Sequence, residues 1–414
     1  MGGSQNVESM IYCVKSYFSN RKIKILCPSS VNKAALPEKV WRLSIHKPLE
    51  NVGGGHDLHS LHSPFYFGAK DDSISNFSMS IFFNNGLRFL KVLDCREAPL
   101  NTFPKEILKL YNLRYLSLRD TNVSSIPKSI GKLQKLNTVD LRYINVTELP
   151  AEILQLKQLR QLLVYRYVHR FTTSLEVVGF KALRGLETLS SLQSLCFIEV
   201  NQGDSNLMKS LGGLTQLRRL CILKLKAEDG NYLCSSIEKL RFLLSLSLNS
   251  VSPDEVIDLQ DMSSPPQCLQ RLILTGKLCL KWSRLQVDPF ECLQALPNLV
   301  HIELVEAYDG ETLCFKADGF KMLKVLLLGK FDRLKRVTIE RGTMSSLEKL
   351  MLRDCKLLDE VPTGIECLSN LKDLEFIDMS NEFLMKLNQR TDLLHISTIF
   401  VGYEADWGLD GYLI

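Results

Sequence analysis

The sequence predicts an α/β solenoid: a horseshoe of short repeats with a parallel β-sheet on its concave face. Three observations carry this expectation. A 23-residue period runs without a gap through Leu90, Leu113, Leu136 and Leu159. Each copy opens on apolar residues in strict alternation, the period of a strand. Where the copies run to full length, each then passes through a Pro and an apolar i, i+3, i+6 series that returns the chain along the other side. One such unit cannot bury its own apolar edge, so burial requires stacked neighbours. At 414 residues the chain is also long for one ordinary core, whereas a stack grows without one.

The columns of the repeat follow in order. Leu93, Leu116, Val139 and Leu162 form the first inward strand position, and Cys95, Leu118, Leu141 and Val164 the second. Leu100, Val123 and Val146 carry the chain off the strand, and Pro104, Pro127 and Pro150 turn it. Ile107, Ile130 and Ile153, followed by Leu110, Leu133 and Leu156, then face inward from a short helical or irregular return. The pattern is a leucine-rich repeat.

It continues with looser spacing in strand segments beginning at Leu192, Leu217, Leu243, Leu269, Leu299, Leu323, Leu347 and Leu371, with a weaker one at Ile396. Val40 begins the first strand, and Leu58 to Phe67 is a candidate for a degenerate second. The organisation predicted is a lead segment without repeats over 1–38, a repeat domain over 39–405 with about thirteen to fifteen strands, and a tail over 406–414. Residues 46–86, with Gly53, Gly54 and Gly55, read as an irregular insertion, and 165–188 and 249–265 as longer returns.

Composition narrows the function. Hydrophobic residues at 45% and charged residues at 23% suit a folded chain. Lys plus Arg is 51 against 46 for Asp plus Glu, and a net charge of +5 over this length does not point to nucleic acid. The twelve Cys residues are scattered without a C-x-x-C pair and read as free thiols packed as small hydrophobes in a reducing compartment. The beginning MGGSQNVESM has neither the basic nor the apolar region of a secretory signal, and Asn6 stands where a myristoylation motif wants Ser or Thr. Charged residues interrupt every apolar stretch that could span a bilayer, so the expectation is a cytoplasmic protein without a membrane partner.

The candidate site is the open face of the sheet. Arg96, Arg119 and Arg142, followed by Tyr165, occupy one column, and Lys91, Arg114, Asn137 and Arg160 another. Adjacent strands lie about 4.8 Å apart. Two unit charges about 5 Å apart repel by roughly 0.8 kcal/mol in water, so a cation ladder is a candidate site for an acidic partner. The alternative is local neutralisation by the interleaved Asp94, Asp120 and Asp140. Further along the equivalent positions turn apolar: Leu163, Ile198, Leu223, Ile273, Val305, Leu327, Met351 and Ile377. An exposed apolar row marks an interface unless long loops cover it or register drift buries it.

Other signals carry less. His56, His59 and His62 have helical spacing for a metal but no fixed acidic or Cys partner, so no metal or cofactor is expected. The sequons at Asn122 and Asn145 repeat in phase with the array, and a third lies at Asn76. No local set brackets a nucleophile or pairs two carboxylates for acid–base work, so no enzyme activity is expected.

The returns SSIPKSIGKLQKL and TELPAEILQLKQL resemble those of plant intracellular immune receptors, the nucleotide-binding leucine-rich-repeat proteins of the coiled-coil class. The entry VWRLSIH is similar to that family's first repeat, and HISTIFVGYEADWG to its last. The resemblance covers about residues 39–410. It implies recognition of pathogen effectors, or restraint of a nucleotide-binding switch domain, with early repeats lying against the switch. Of the family's phosphate loop, G-x-x-x-x-G-K followed by Ser or Thr, nothing is found; Gly53–Gly55 has no following Lys, and at His56-Asp57 a Gly replaces the Met of the family's Met-His-Asp motif. The expectation is therefore an interaction scaffold in plant defence. The alternatives are an extracellular receptor ectodomain and a stand-alone adaptor. Secreted plant repeats usually run at 24 residues with a Gly two before the Ile-Pro, where this chain has Ser124 and Thr147. An F-box-like adaptor would need a helical docking domain that 1–38 is too short to supply.

Overall fold

The computed structural model describes residues 89–169, 175–200, 205–252, 255–259, 262, 264–276, 278–279, 289–294, 296–405 and 408–414, with the backbone of three strands before them. Its central element is one long sheet in which each repeat adds a parallel strand beside the last. In the regular block Val92–Asp94 pairs with Tyr115–Ser117, then Thr138–Asp140, then Gln161–Leu163, with Leu93, Leu116, Val139 and Leu162 in register. Later repeats alternate fully: His301–Val305 and Lys349–Arg353 bury every second residue, the two inward ones of each strand. The inward columns are sealed, with Leu116, Leu118, Leu162 and Val164 all at 0% exposure. Each such side chain contributes about 2 kcal/mol by leaving water, and only because a neighbouring repeat covers it.

The returns form as their residues dictate. Pro104, Pro127 and Pro150 sit extended at φ −68, −73 and −67°, and each starts a five-residue 3-10 turn: Lys105–Lys109, Lys128–Lys132 and Ala151–Gln155. Pro has no N–H to lose at such a start, and its fixed φ suits the entry. Ile107, Ile130 and Ile153 point inward from these turns. Where repeats lengthen, the returns become α-helices, as at Ser205–Leu211, Gly230–Ile237 and Asn381–Leu387, or short parallel strand pairs such as Thr312–Phe315 with Arg336–Ile339. Bulky side chains fill the wider interior there, with Phe290 against Phe315 at 5.2 Å and Phe376 against Phe383 at 4.8 Å between ring centres. Cys95, Cys234 and Cys355 are core residues at 2%, 1% and 0% exposure, small hydrophobes as expected.

Strands end on a shared device. Glu97, Asp120 and Tyr143 hold left-handed φ of 59, 57 and 59°, one per repeat, directly after Arg96, Arg119 and Arg142. Glu306, Lys330, Asp354 and Asp378 do the same at 57, 53, 52 and 55°. Such a residue breaks the pleat and swings the chain off the sheet.

The ends differ from the sequence expectation. Lys24–Leu26 lies in the segment read as free of repeats, yet it pairs in parallel with Arg42–His46. Ser63–Phe67, inside the stretch read as an insertion, is the degenerate strand suspected at Leu58 to Phe67 and pairs with Arg42–His46 in turn. The tail is a strand as well: Gly408–Leu413 folds back antiparallel on Thr398–Ala405. The His56, His59 and His62 series and the Asn76 sequon lie outside the described residues.

Candidate protein-binding surface

Two cationic columns flank the open side of the early sheet. The first is the rim where strands begin. Backbone hydrogen bonds from Arg114 N to Lys91 O, Asn137 N to Arg114 O, Arg160 N to Asn137 O, Gln193 N to Arg160 O and Arg218 N to Gln193 O set these residues side by side. Lys91, Arg114, Arg160 and Arg218 are exposed, and none has a carboxylate partner among the described residues. The same rim in later repeats is neutralised: Glu348 takes Lys324 at 2.8 Å and Lys372 at 3.4 Å. Among the described residues, the cationic charge of the early rim is therefore uncompensated.

The column at the strand exit is different. Arg96 reaches Asp94 at 3.5 Å, Arg119 reaches Asp120 at 2.9 Å, and Arg142 closes on Asp140 with two bonds of 2.8 and 2.7 Å. Asp94 and Asp140 are 5% and 2% exposed, so Arg96 and Arg142 stand as counter-ions to buried acids, while Asp120, the partner of Arg119, is only half-buried. The alternative of local neutralisation thus describes this column, whereas Lys91, Arg114 and Arg160 remain open cations.

Aromatic rings continue the exit column. Tyr165 packs on Phe197 at 4.6 Å, and Tyr143 and Tyr167 each lie about 6 Å from it. Arg119 sits over the Tyr143 ring at 5.0 Å, an attraction between cation and ring face. Burial pushes the Tyr165 phenol up, opposed by its hydrogen bond with Arg142. Tyr143, Tyr167 and Phe197 were not among the expected site residues. Their sequence signal is the run of aromatics at these exit positions, Tyr143, Tyr165 and Phe197.

The apolar row is shorter than expected. Ile273, Leu327 and Met351 do share one open-face column, interrupted by Glu303, and Val305 stands beside it. Three other positions are corrected. Ile198 is a core residue at 0% exposure. Phe197 takes a left-handed φ of 60° and shifts the register between Leu195 and Ile198, so Phe197 stays on the open side and Ile198 drops inward opposite Ile222. Leu223, at 6%, lies beneath the backbone at Gly179, where a Cβ would stand 3.2 Å from its Cδ1. Ile377, at 1%, is spanned by the ion pair of Arg353 with Glu404, which joins the strands on either side of it.

A stack of parallel strands, one per repeat, with sealed inward leucine columns and a chemically varied open face defines a leucine-rich-repeat solenoid. Residues 60–389 match the family model described as "Leucine-rich repeat region", and the chain belongs to that family. Relatives that it matches include disease resistance proteins of Arabidopsis thaliana. Disease resistance protein RPM1 is 32% identical over 61% of this chain and 29% of its own length. Disease resistance protein RPP8 is 29% identical over 42% of this chain and 21% of its own length. The chain thus spans less than a third of either relative. Among solved structures, a Leptospira interrogans leucine-rich-repeat protein superposes with a TM-score of 0.52 at 19% identity, over 87% of this chain and 90% of that one, a likeness of fold.

Proposed function

We propose that this chain is a cytoplasmic protein-docking scaffold of plant defence, acting by binding and without a reaction of its own. Its early rim takes an acidic protein surface, that of a nucleotide-binding switch domain which it restrains. The open apolar positions Ile273, Val305, Leu327 and Met351 add contact to a pathogen effector. The observation that carries this reading is the rim of Lys91, Arg114, Arg160 and Arg218, uncompensated where its later counterpart is paired off. The resistance-protein relatives support the setting. Charge held on regularly spaced strands steers and orients an opposite surface.

The test is Arg114→Glu with Arg160→Glu, titrated against the switch domain of a coiled-coil-class resistance protein supplied in trans. Affinity should fall by about tenfold or more, and the parent's affinity should weaken with added salt. Stability should hardly move, since neither side chain supports a buried acid. Unchanged affinity in the double reversal would reject the rim as the site.

A further inference from the structure

Two thiols stand together on the open face at the centre of the array. Ser194–Glu199 and Arg219–Leu225 are neighbouring parallel strands, matched at Ser194 with Arg219 and Leu195 with Leu220. The next residue on each is a cysteine. Cys196 is level with Leu163 and Cys221 with Ser247, so both belong to the open-face column. Each is 9% exposed, at the lip of the surface, unlike Cys234 at 1% or Cys355 at 0%. Paired Cα atoms on such strands lie about 4.8 Å apart, inside the span of roughly 4.4–6.8 Å that a disulfide bridges, and the cysteines stand one residue past the last matched pair, where the register begins to shift. Ser194 Oγ lies 3.4 Å from Cys196 Sγ.

We propose that Cys196 and Cys221 form an oxidisable dithiol that hydrogen peroxide closes to a cross-strand disulfide. Cys196 is the attacking member. The hydrogen bond from Cys221 holds its thiol low, against burial, and Ser194 and the positive charges of Arg219 and Arg142 act in the same direction. Cys221 is pushed up by the same bond and by burial. The Cys196 thiolate attacks one peroxide oxygen, an S–O bond forms, the O–O bond breaks, and the leaving hydroxide takes a proton to become water. The Cys221 sulfur then attacks the sulfenic sulfur of Cys196, the S–S bond forms, the S–O bond breaks, and a second water leaves with the Cys221 proton. Two thiols lose two electrons and two protons, and one peroxide becomes two waters. The product staples two successive repeats.

The experiment uses the full reduced chain, equimolar hydrogen peroxide and peptide mapping. The Cys196–Cys221 link should form about tenfold faster than sulfenic acid accumulates at the exposed Cys268 and Cys367. Cys221→Ser should strand the sulfenic acid on Cys196, where a dimedone probe labels it, and Cys196→Ser should leave Cys221 unlabelled. Phenylarsine oxide, which needs two adjacent thiols, should bind one equivalent to the parent and be lost from either variant. A parent chain whose two cysteines stay unlinked, or tight arsenical binding retained by both variants, overturns the proposal.

Discussion

Arg142 grips the carboxylate of Asp140 from its own strand, Nε donating to Oδ1 at 2.8 Å and Nη2 to Oδ2 at 2.7 Å, while Asp140 is 2% exposed. The arginine is thus part of the fold as much as of the surface. Arg142→Ala should destabilise the chain by about 1–3 kcal/mol, because it leaves a buried carboxylate without its charged partner, with only the backbone N–H of residue 142 still donating to it. Ser117 occupies the equivalent place one strand away, so a hydroxyl fits there. Adding Asp140→Ser to Arg142→Ala should therefore recover most of the loss in urea denaturation. A double variant no more stable than the single would show that the stranded carboxylate is not the cause.

Asp94 begins the same column with a weaker partner, Arg96 at 3.5 Å. Burial holds its carboxyl above the ordinary range, opposed by the charge of Arg96 and by its backbone N–H. An acid whose folded pKa stands above its unfolded one costs stability above the folded pKa, and that cost disappears as pH falls through it. Asp94→Asn should accordingly be more stable than the parent at neutral pH, with the advantage shrinking in acid. Melting curves across that range decide it, and an advantage that grew on acidification would contradict the sign.

Leu116 lies between Leu93 and Val139 in register, fully buried. Leu116→Asp places a carboxylate there at a cost of several kcal/mol. Because each repeat is stabilised by its neighbours, limited proteolysis should open residues 90–164 together. Cleavage confined to the Leu116 repeat would deny that coupling.

Glu97 holds the left-handed strand exit at φ 59°. A β-branched side chain is worst suited to that region, so Glu97→Val should cost about 1–2 kcal/mol, whereas Glu97→Gly should be nearly neutral. Equal losses for the two substitutions, measured by denaturation, would place the effect in the lost carboxylate instead.

The inward columns were legible because four copies in phase leave no other face for Leu93, Leu116, Val139 and Leu162. Ile198 was not, since Leu-Gln-Ser-Leu-Cys-Phe offers Phe197 as the next inward residue with equal hydrophobicity. Only the left-handed backbone at Phe197 chooses between them. The pairing of Arg96 and Arg142 with acids two residues back was visible as composition, but whether those acids face water or the interior depends on register. The strand at Lys24–Leu26 lacks the repeat's signature altogether and is recruited by the open edge beside it. Cys196 and Cys221 stand 25 positions apart in a region where spacing has drifted from 23, so their adjacency emerges only from strand pairing.

Each strand's ladder bonds run only to the strands beside it, and this gives the molecule a mechanical character. Pulled from its two ends, such a chain bears load in series, and the weakest pair of neighbours yields first. Release of one 23-residue unit should lengthen the tether by roughly 75 Å. Extension should proceed as a staircase of small drops in force, in place of the single rupture of a domain whose distant strands are stitched together. A Cys196–Cys221 bond would leave one tread of that staircase shorter than the rest.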